Sequence, residues 1–140
     1  MGPCVSKNTT KGDTTEQEVG LVGGNVELIV TKEEWDEKLA EAKRDGRIVI
    51  ANFSAVWCSP CENIVPFYSS LSVKYPYMMF LTVDVDELSD FSSSMDIKAT
   101  PTFLIYKEGE LIHKLVGANK IQLQRKIDSL AAASSPLRSL

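Results

Sequence analysis

The stretch Ile48–Ser54 (Ile-Val-Ile-Ala-Asn-Phe-Ser) limits the available folds more than any other part of this chain. It is nearly continuously apolar and of strand length, and such a strand is covered on both faces. A layer of structure is therefore needed above and below the sheet. The flanking segments carry the spacing for it. Trp35, Leu39 and Ala42 recur at i, i+4 and i+7, Thr31 and Glu34 have the spacing of a capping box, and Asp45-Gly46 closes that helix. A second helix is predicted from about Ser59 to Lys74, burying Ile64, Phe67 or Tyr68, and Leu71, kinked at Pro66 and stopped by Pro76.

Around this centre, Val26–Val30 and Met78–Val83 read as strands and Leu88–Met95 as a short helix. Thr102–Tyr106 and Leu111–Val116 flank Lys107-Glu108-Gly109-Glu110 as a β-hairpin. Asn119 is a candidate cap for a last helix with Leu123, Ile127 and Leu130 on one face. The order is β-α-β-α-β-α-β-β-α. Strands separated by helices pair in parallel and the hairpin is antiparallel, so the class is α/β with a mixed sheet.

Residues 1–24 carry few large apolar side chains and end in Gly23-Gly24. The expected organisation is a flexible extension over 1–24, one domain over 25–131 and a C-terminal tail over 132–140. Fifteen Lys and Arg against nineteen Asp and Glu leave a net charge of −4. That balance argues against a nucleic-acid backbone binder, which needs clustered positive charge. No apolar run reaches the roughly 18 residues of a membrane span. The N-terminus lacks the apolar core of a signal peptide, so a reducing, cytoplasmic location is expected. Three cysteines and one histidine furnish neither two zinc sites nor an even disulfide framework.

The chemistry lies in Trp57-Cys58-Ser59-Pro60-Cys61, where the buried strand turns into a helix. Two thiols separated by two residues can close a small disulfide ring. Cys58 is at the helix start, where unpaired N–H groups and the positive end of the dipole favour thiolate. Cys61, one turn inside and more buried, is the poorer initial nucleophile. Pro60 fits the first turn, where its missing N–H costs nothing. Half of a metal site is the alternative, but its remaining ligands would be Cys4, in the extension, and His113, in a strand. Two inert cysteines are the other, and the electropositive placement argues against them. No metal and no cofactor are expected.

Together with Ala99-Thr100-Pro101-Thr102, Val116-Gly117-Ala118 and the element order, the Trp57–Cys61 motif resembles thioredoxin over about residues 25–131. Asn52-Phe53-Ser54-Ala55 and Val83-Asp84-Val85-Asp86-Glu87-Leu88 are most similar to plant cytosolic h-type thioredoxins with an N-terminal extension. The resemblance implies the thioredoxin fold, a mixed central sheet flanked by about four helices. It also implies a thiol–disulfide oxidoreductase that reduces disulfides of target proteins. Cys58 then attacks and Cys61 resolves the mixed disulfide. Trp57, Ser59, Pro60, Thr100, a cis Pro101, Gly117 and Ala118 form the substrate surface, along which an extended target pairs like an added strand. A packing tryptophan at 57 and a plain turn glycine at 117 remain the alternatives.

Three positions depart from the family pattern. Asn52 stands where most members have a buried aspartate; it can hydrogen-bond but cannot accept a proton, so water or another group serves, or Cys61 is activated more slowly. Ser59 replaces glycine. Glu62 stands where Lys or Arg is common, and either opposes thiolate formation at Cys61 or is a solvated helix residue. Cys4 matches an extra cysteine of extended h-type members, for which glutathione with glutaredoxin serves as electron donor in place of, or beside, thioredoxin reductase; an inert or palmitoylated Cys4 is the alternative. Met1-Gly2-Pro3-Cys4-Val5-Ser6 fits a pattern for myristoylation at Gly2 with a second acyl chain on Cys4, and so for lipid-mediated membrane association, though Pro3 counts against it. A redox-weakened scaffold and a disulfide isomerase are the competing functions.

Overall fold

The computed structural model describes residues 22–134. Five strands, β1 (Glu27–Ile29), β2 (Val49–Ser54), β3 (Met79–Asp84), β4 (Thr102–Lys107) and β5 (Glu110–Val116), form one sheet in the order β1-β3-β2-β4-β5. Among the described residues there are four helices, α1 (Lys32–Asp45), α2 (Ser59–Lys74), α3 (Ser89–Ser94) and α4 (Lys120–Ser134). The strands β1, β3 and β2 are parallel, while β4 and β5 run antiparallel, so the sheet is mixed as expected.

All six residues of β2 are buried. Ile50 packs on one face with Ile64, Tyr68 and Leu71 of α2 and with Leu123 and Ile127 of α4. Val49, Ala51 and Phe53 pack on the other with Trp35 and Ala42 of α1. Of the two α2 candidates, Tyr68 takes the core place and Phe67 is half-buried. The Tyr68 hydroxyl sits 2.8 Å from the carbonyl oxygens of Ile50 and Leu81, tying α2 to two central strands.

Local signals explain the element ends. Thr31 Oγ1 accepts the Glu34 N–H at 3.0 Å, and Glu34 reaches back to the Val30 N–H at 2.8 Å. Gly46, at φ +69°, takes the left-handed position that ends α1. The α2 helix runs through Pro66 to Lys74. Both hairpin strands extend one residue further than expected, leaving a two-residue turn, Glu108-Gly109, at φ +53° and +83°. That geometry suits the right-handed twist of a hairpin. Asn119 Oδ1 accepts the Gln122 N–H at 2.9 Å, as the expected cap of α4.

At the N-terminal side, Val22 packs against the α2 and α4 layer. A Cβ on Gly24 would lie 2.6 Å from the Ser69 carbonyl oxygen, and φ there is +58°, so this close approach to α2 requires glycine. The α4 helix continues to Ser134, beyond residue 131.

Candidate active site

The chain leaves β2 at Ser54 and enters α2 through Cys58, which is the N-cap residue. Its extended backbone lets Sγ accept the Cys61 N–H at 3.3 Å, one of the donors that every helix start leaves free. Pro60 occupies the first turn. Both cysteines are free thiols, and both are buried, Cys58 at 5% exposure and Cys61 at 0%.

The two thiols are driven in opposite directions. Burial pushes Cys58 up, but hydrogen bonds from the Cys61 thiol, the Thr100 side chain and the Cys61 N–H outweigh it, and the net shift is downward. Cys61 is pushed up, first by burial and then by Cys58, with Ser54, Ala55 and Thr100 pulling less strongly the other way. The Cys58 thiol is thus drawn below its ordinary value and that of Cys61 held above it.

Segments distant in sequence converge on this pair. The Cys58 thiol donates to the Thr100 carbonyl oxygen at 3.5 Å, and the Thr100–Pro101 peptide bond is cis. The Gly117 N–H donates to the Pro101 carbonyl oxygen at 2.8 Å, which ties the loop after β5 to the same surface. Gly117 has φ +100°, and a Cβ there would meet nothing within 4 Å, so the residue faces open space. Ala118 beside it is half-buried against the core. Ser59 and Pro60 are exposed next to Cys58.

Trp57 is 69% exposed, and its indole N–H donates to Asp86 Oδ2 at 2.7 Å. The second tryptophan, Trp35, is core. A groove of about 220 Å³ beside Trp57 is lined by Val85, Ile97, Lys98, Ala99 and Thr100. Sequence reasoning missed Asp86, Val85, Ile97 and Lys98; the signal was the acidic run after β3, which does not say which carboxylate reaches Trp57. Asp86→Ala is expected to raise KM for a protein disulfide about fivefold at nearly constant kcat, the loss of one charge-assisted hydrogen bond in an exposed setting. Steady-state kinetics on insulin check this, and an unchanged KM would show that Asp86 does not hold Trp57 for substrate.

The residues expected to tune the thiols fall differently. Asn52 is fully buried on β2, and its side-chain N and O have no hydrogen-bond partner. Ser54, two residues further along the strand, is the polar side chain that draws the Cys61 thiol downward, and Asn52 does not figure among the groups that shift that thiol. Glu62 is exposed and does not figure there either. His113 lines a separate groove of about 570 Å³ with Leu115, Asn119, Arg125 and Lys126, which shares no residue with the thiol surface. Gly2 and Cys4 lie outside the described residues. Among the described residues, no group of three His, Cys, Asp or Glu side chains is placed to hold a metal, and no helix is long and apolar enough to cross a membrane.

A thiol at a helix start, with a second thiol one turn behind it and in front the carbonyl of the residue before a cis-proline, defines a dithiol–disulfide exchange protein. The thioredoxin family profile matches residues 26–129. Thioredoxin H9 of Arabidopsis thaliana is 59% identical over 140 residues, covering 99% of both chains. A thioredoxin H-type protein of Populus jackii is 55% identical over 136 residues, 97% of this chain and 98% of that one. A solved poplar wild-type thioredoxin h is 62% identical with a TM-score of 0.75, over 76% of this chain and 96% of that one. The chain belongs to the thioredoxin family and is a thiol–disulfide oxidoreductase, with plant h-type members as relatives over nearly its whole length.

Proposed function

We propose that this chain reduces disulfides of target proteins in the cytosol, with Cys58 attacking and Cys61 resolving, and that Thr100–Pro101, Gly117 and Ala118 seat the target beside Trp57. The observation that carries this reading is the N-cap position of Cys58. Its Sγ takes the Cys61 N–H, and its thiol lies below the ordinary range while that of Cys61 lies above it. Attack by Cys58 gives a mixed disulfide; Cys61 then bonds to Cys58 and frees the reduced target.

The dithiol is regenerated by thioredoxin reductase, by glutathione with glutaredoxin, or by both, and Cys4 belongs to the glutaredoxin route. Insulin reduction with each donor system, run on the wild type and on Cys4→Ser, tests the assignment. Turnover with glutaredoxin that falls in Cys4→Ser supports a part for Cys4. Equal turnover in both proteins removes Cys4 from the cycle, and turnover with thioredoxin reductase alone makes that enzyme the donor. The Met1–Ser6 hexapeptide supports myristoylation of Gly2 as a membrane attachment, and a second acyl chain on Cys4 is the alternative to its part in the glutaredoxin route, since an acylated Cys4 has no free thiol. Mass spectrometry of the native protein giving a free Gly2 ends that reading.

A further inference from the structure

A polar floor lies under the first turn of α2. Asn52 and Ser54 of β2 and Thr82 of β3 share the sheet face of Ile50 and Phe80, which packs against α2. All three are 0% exposed, and Asn52 and Thr82 are neighbours in register. Ile64, Tyr68 and Phe103 surround this floor. Yet Asn52 Nδ2 and Oδ1, Ser54 Oγ and Thr82 Oγ1 have no hydrogen-bond partner. Buried polar groups without partners are rare, and a catalytic duty is one of the few reasons for keeping them.

Cys61 supplies that duty. It is fully buried in one cluster with Ala55 and Cys58, and Ser54, the last residue of β2, directly precedes Ala55. Of the three, Ser54 is also the one that draws the Cys61 thiol downward. In the dithiol protein Cys61 is a thiol, a weak acceptor, and Ser54 Oγ makes no well-formed bond to it. Negative charge appears on Cys61 Sγ only when it prepares to attack Cys58. A donor already in place where charge will develop needs no reorganisation at that moment. The nearest carboxylate on the neighbouring strand is Asp84, the register partner of Ser54, and its Oδ1 accepts the Asp86 N–H at 2.9 Å. Glu62 on α2 is exposed, and the remaining titratable neighbour of Cys61 is Cys58 itself.

We infer that Ser54 is the positioning residue of the resolving step: its hydroxyl donates to the Cys61 thiolate as that thiolate forms, while Asn52 and Thr82 keep the floor polar and uncharged. In that step Cys61 gives its proton to solvent and its sulfur lone pair forms the bond to Cys58 Sγ. The bond between Cys58 and the target sulfur breaks, its electron pair leaves on the target sulfur, and that sulfur takes a proton from solvent. The inference rests on the dithiol activity and adds to it a residue that never touches the target.

Stopped-flow reaction of the full chain with 5,5′-dithiobis(2-nitrobenzoate), in a Cys4→Ser background, separates the two halves. Attack by Cys58 releases one coloured thiolate, and resolution by Cys61 releases the second. Ser54→Ala is expected to slow the second phase about tenfold and to leave the first within about twofold. The pH profile of the second phase should move up by about one unit, the same tenfold expressed as a pKa. Ser54→Thr, which keeps the hydroxyl, should restore the second phase. Because the hydroxyl has no partner in the dithiol protein, Ser54→Ala should also melt no lower than its parent. A second phase at parental speed in Ser54→Ala overturns the inference. So does equal slowing of both phases, a lowered Tm, or a Thr variant as slow as the Ala variant. Failure of the dithiol activity itself would look different, since the parent would then show no second phase.

Discussion

Cys58→Ser is expected to reduce disulfide turnover to background, a loss on the order of 10³-fold or more, as for removal of any catalytic nucleophile. Cys61→Ser is expected to lose turnover too, but with a different signature. It keeps the N-cap thiol at residue 58 and the Cys61 N–H that feeds it, so the first bond still forms and the adduct persists. Mass spectrometry after mixing with a disulfide peptide should find the adduct on Cys61→Ser and none on Cys58→Ser. Retained turnover in Cys58→Ser would end the dithiol mechanism and leave the chain as a scaffold. The direction of the Cys58 shift adds a pH expectation: attack should speed up with pH through a value below that of an ordinary thiol, and iodoacetamide at pH 7 should label Cys58 before Cys61.

The second large effect concerns Asn52. Asn52→Asp places a carboxyl at a fully buried position whose present side-chain atoms have no hydrogen-bond partner. Burial disfavours the charged form, so the folded carboxyl titrates well above the roughly 3.9 of the unfolded chain. Below about pH 4 both states hold the proton, and the variant should be nearly as stable as its parent. As pH rises, the unfolded state ionises while the folded state does not, and stability falls by about 1.4 kcal/mol per unit up to the folded pKa. For a displacement of about three units the total is roughly 4 kcal/mol at neutral pH. Urea unfolding at pH 4 and pH 7 measures it. Equal loss at both values would mean that shape, not charge, is what the site rejects.

The architecture was readable because the signals are local and strong. The unbroken apolar run of β2, the Thr31–Glu34 cap and the Asn119 cap each act within a few residues, and the structure places all of them as their spacing implies. The hairpin strands each run one residue past the bounds their sequence suggests, since Glu108 adopts a positive φ that its residue type does not advertise. The site was legible where its residues sit in one segment, as Cys58, Pro60 and Cys61 do. It was less so where partners come from elsewhere in the chain. Asn52 stands out because it breaks a family pattern, yet Ser54, an ordinary residue two places on, is the one that draws the Cys61 thiol downward. Asp86 acts on Trp57 across 29 positions, a distance no window along the sequence spans.

The hydrogen bonds gathered around Cys58 have an opposing consequence for the direction of electron flow. The Cys61 N–H and the Thr100 side chain favour the thiolate, and thiolate exists only in the reduced protein. Whatever they contribute therefore favours the dithiol over the disulfide and shifts the redox potential toward the oxidising side. A more eager nucleophile is thus a weaker reductant, and the raised Cys61 thiol works the other way. The balance between attack speed and reducing power is set within one helical turn, so substitutions at residues 59 and 60 should alter both together.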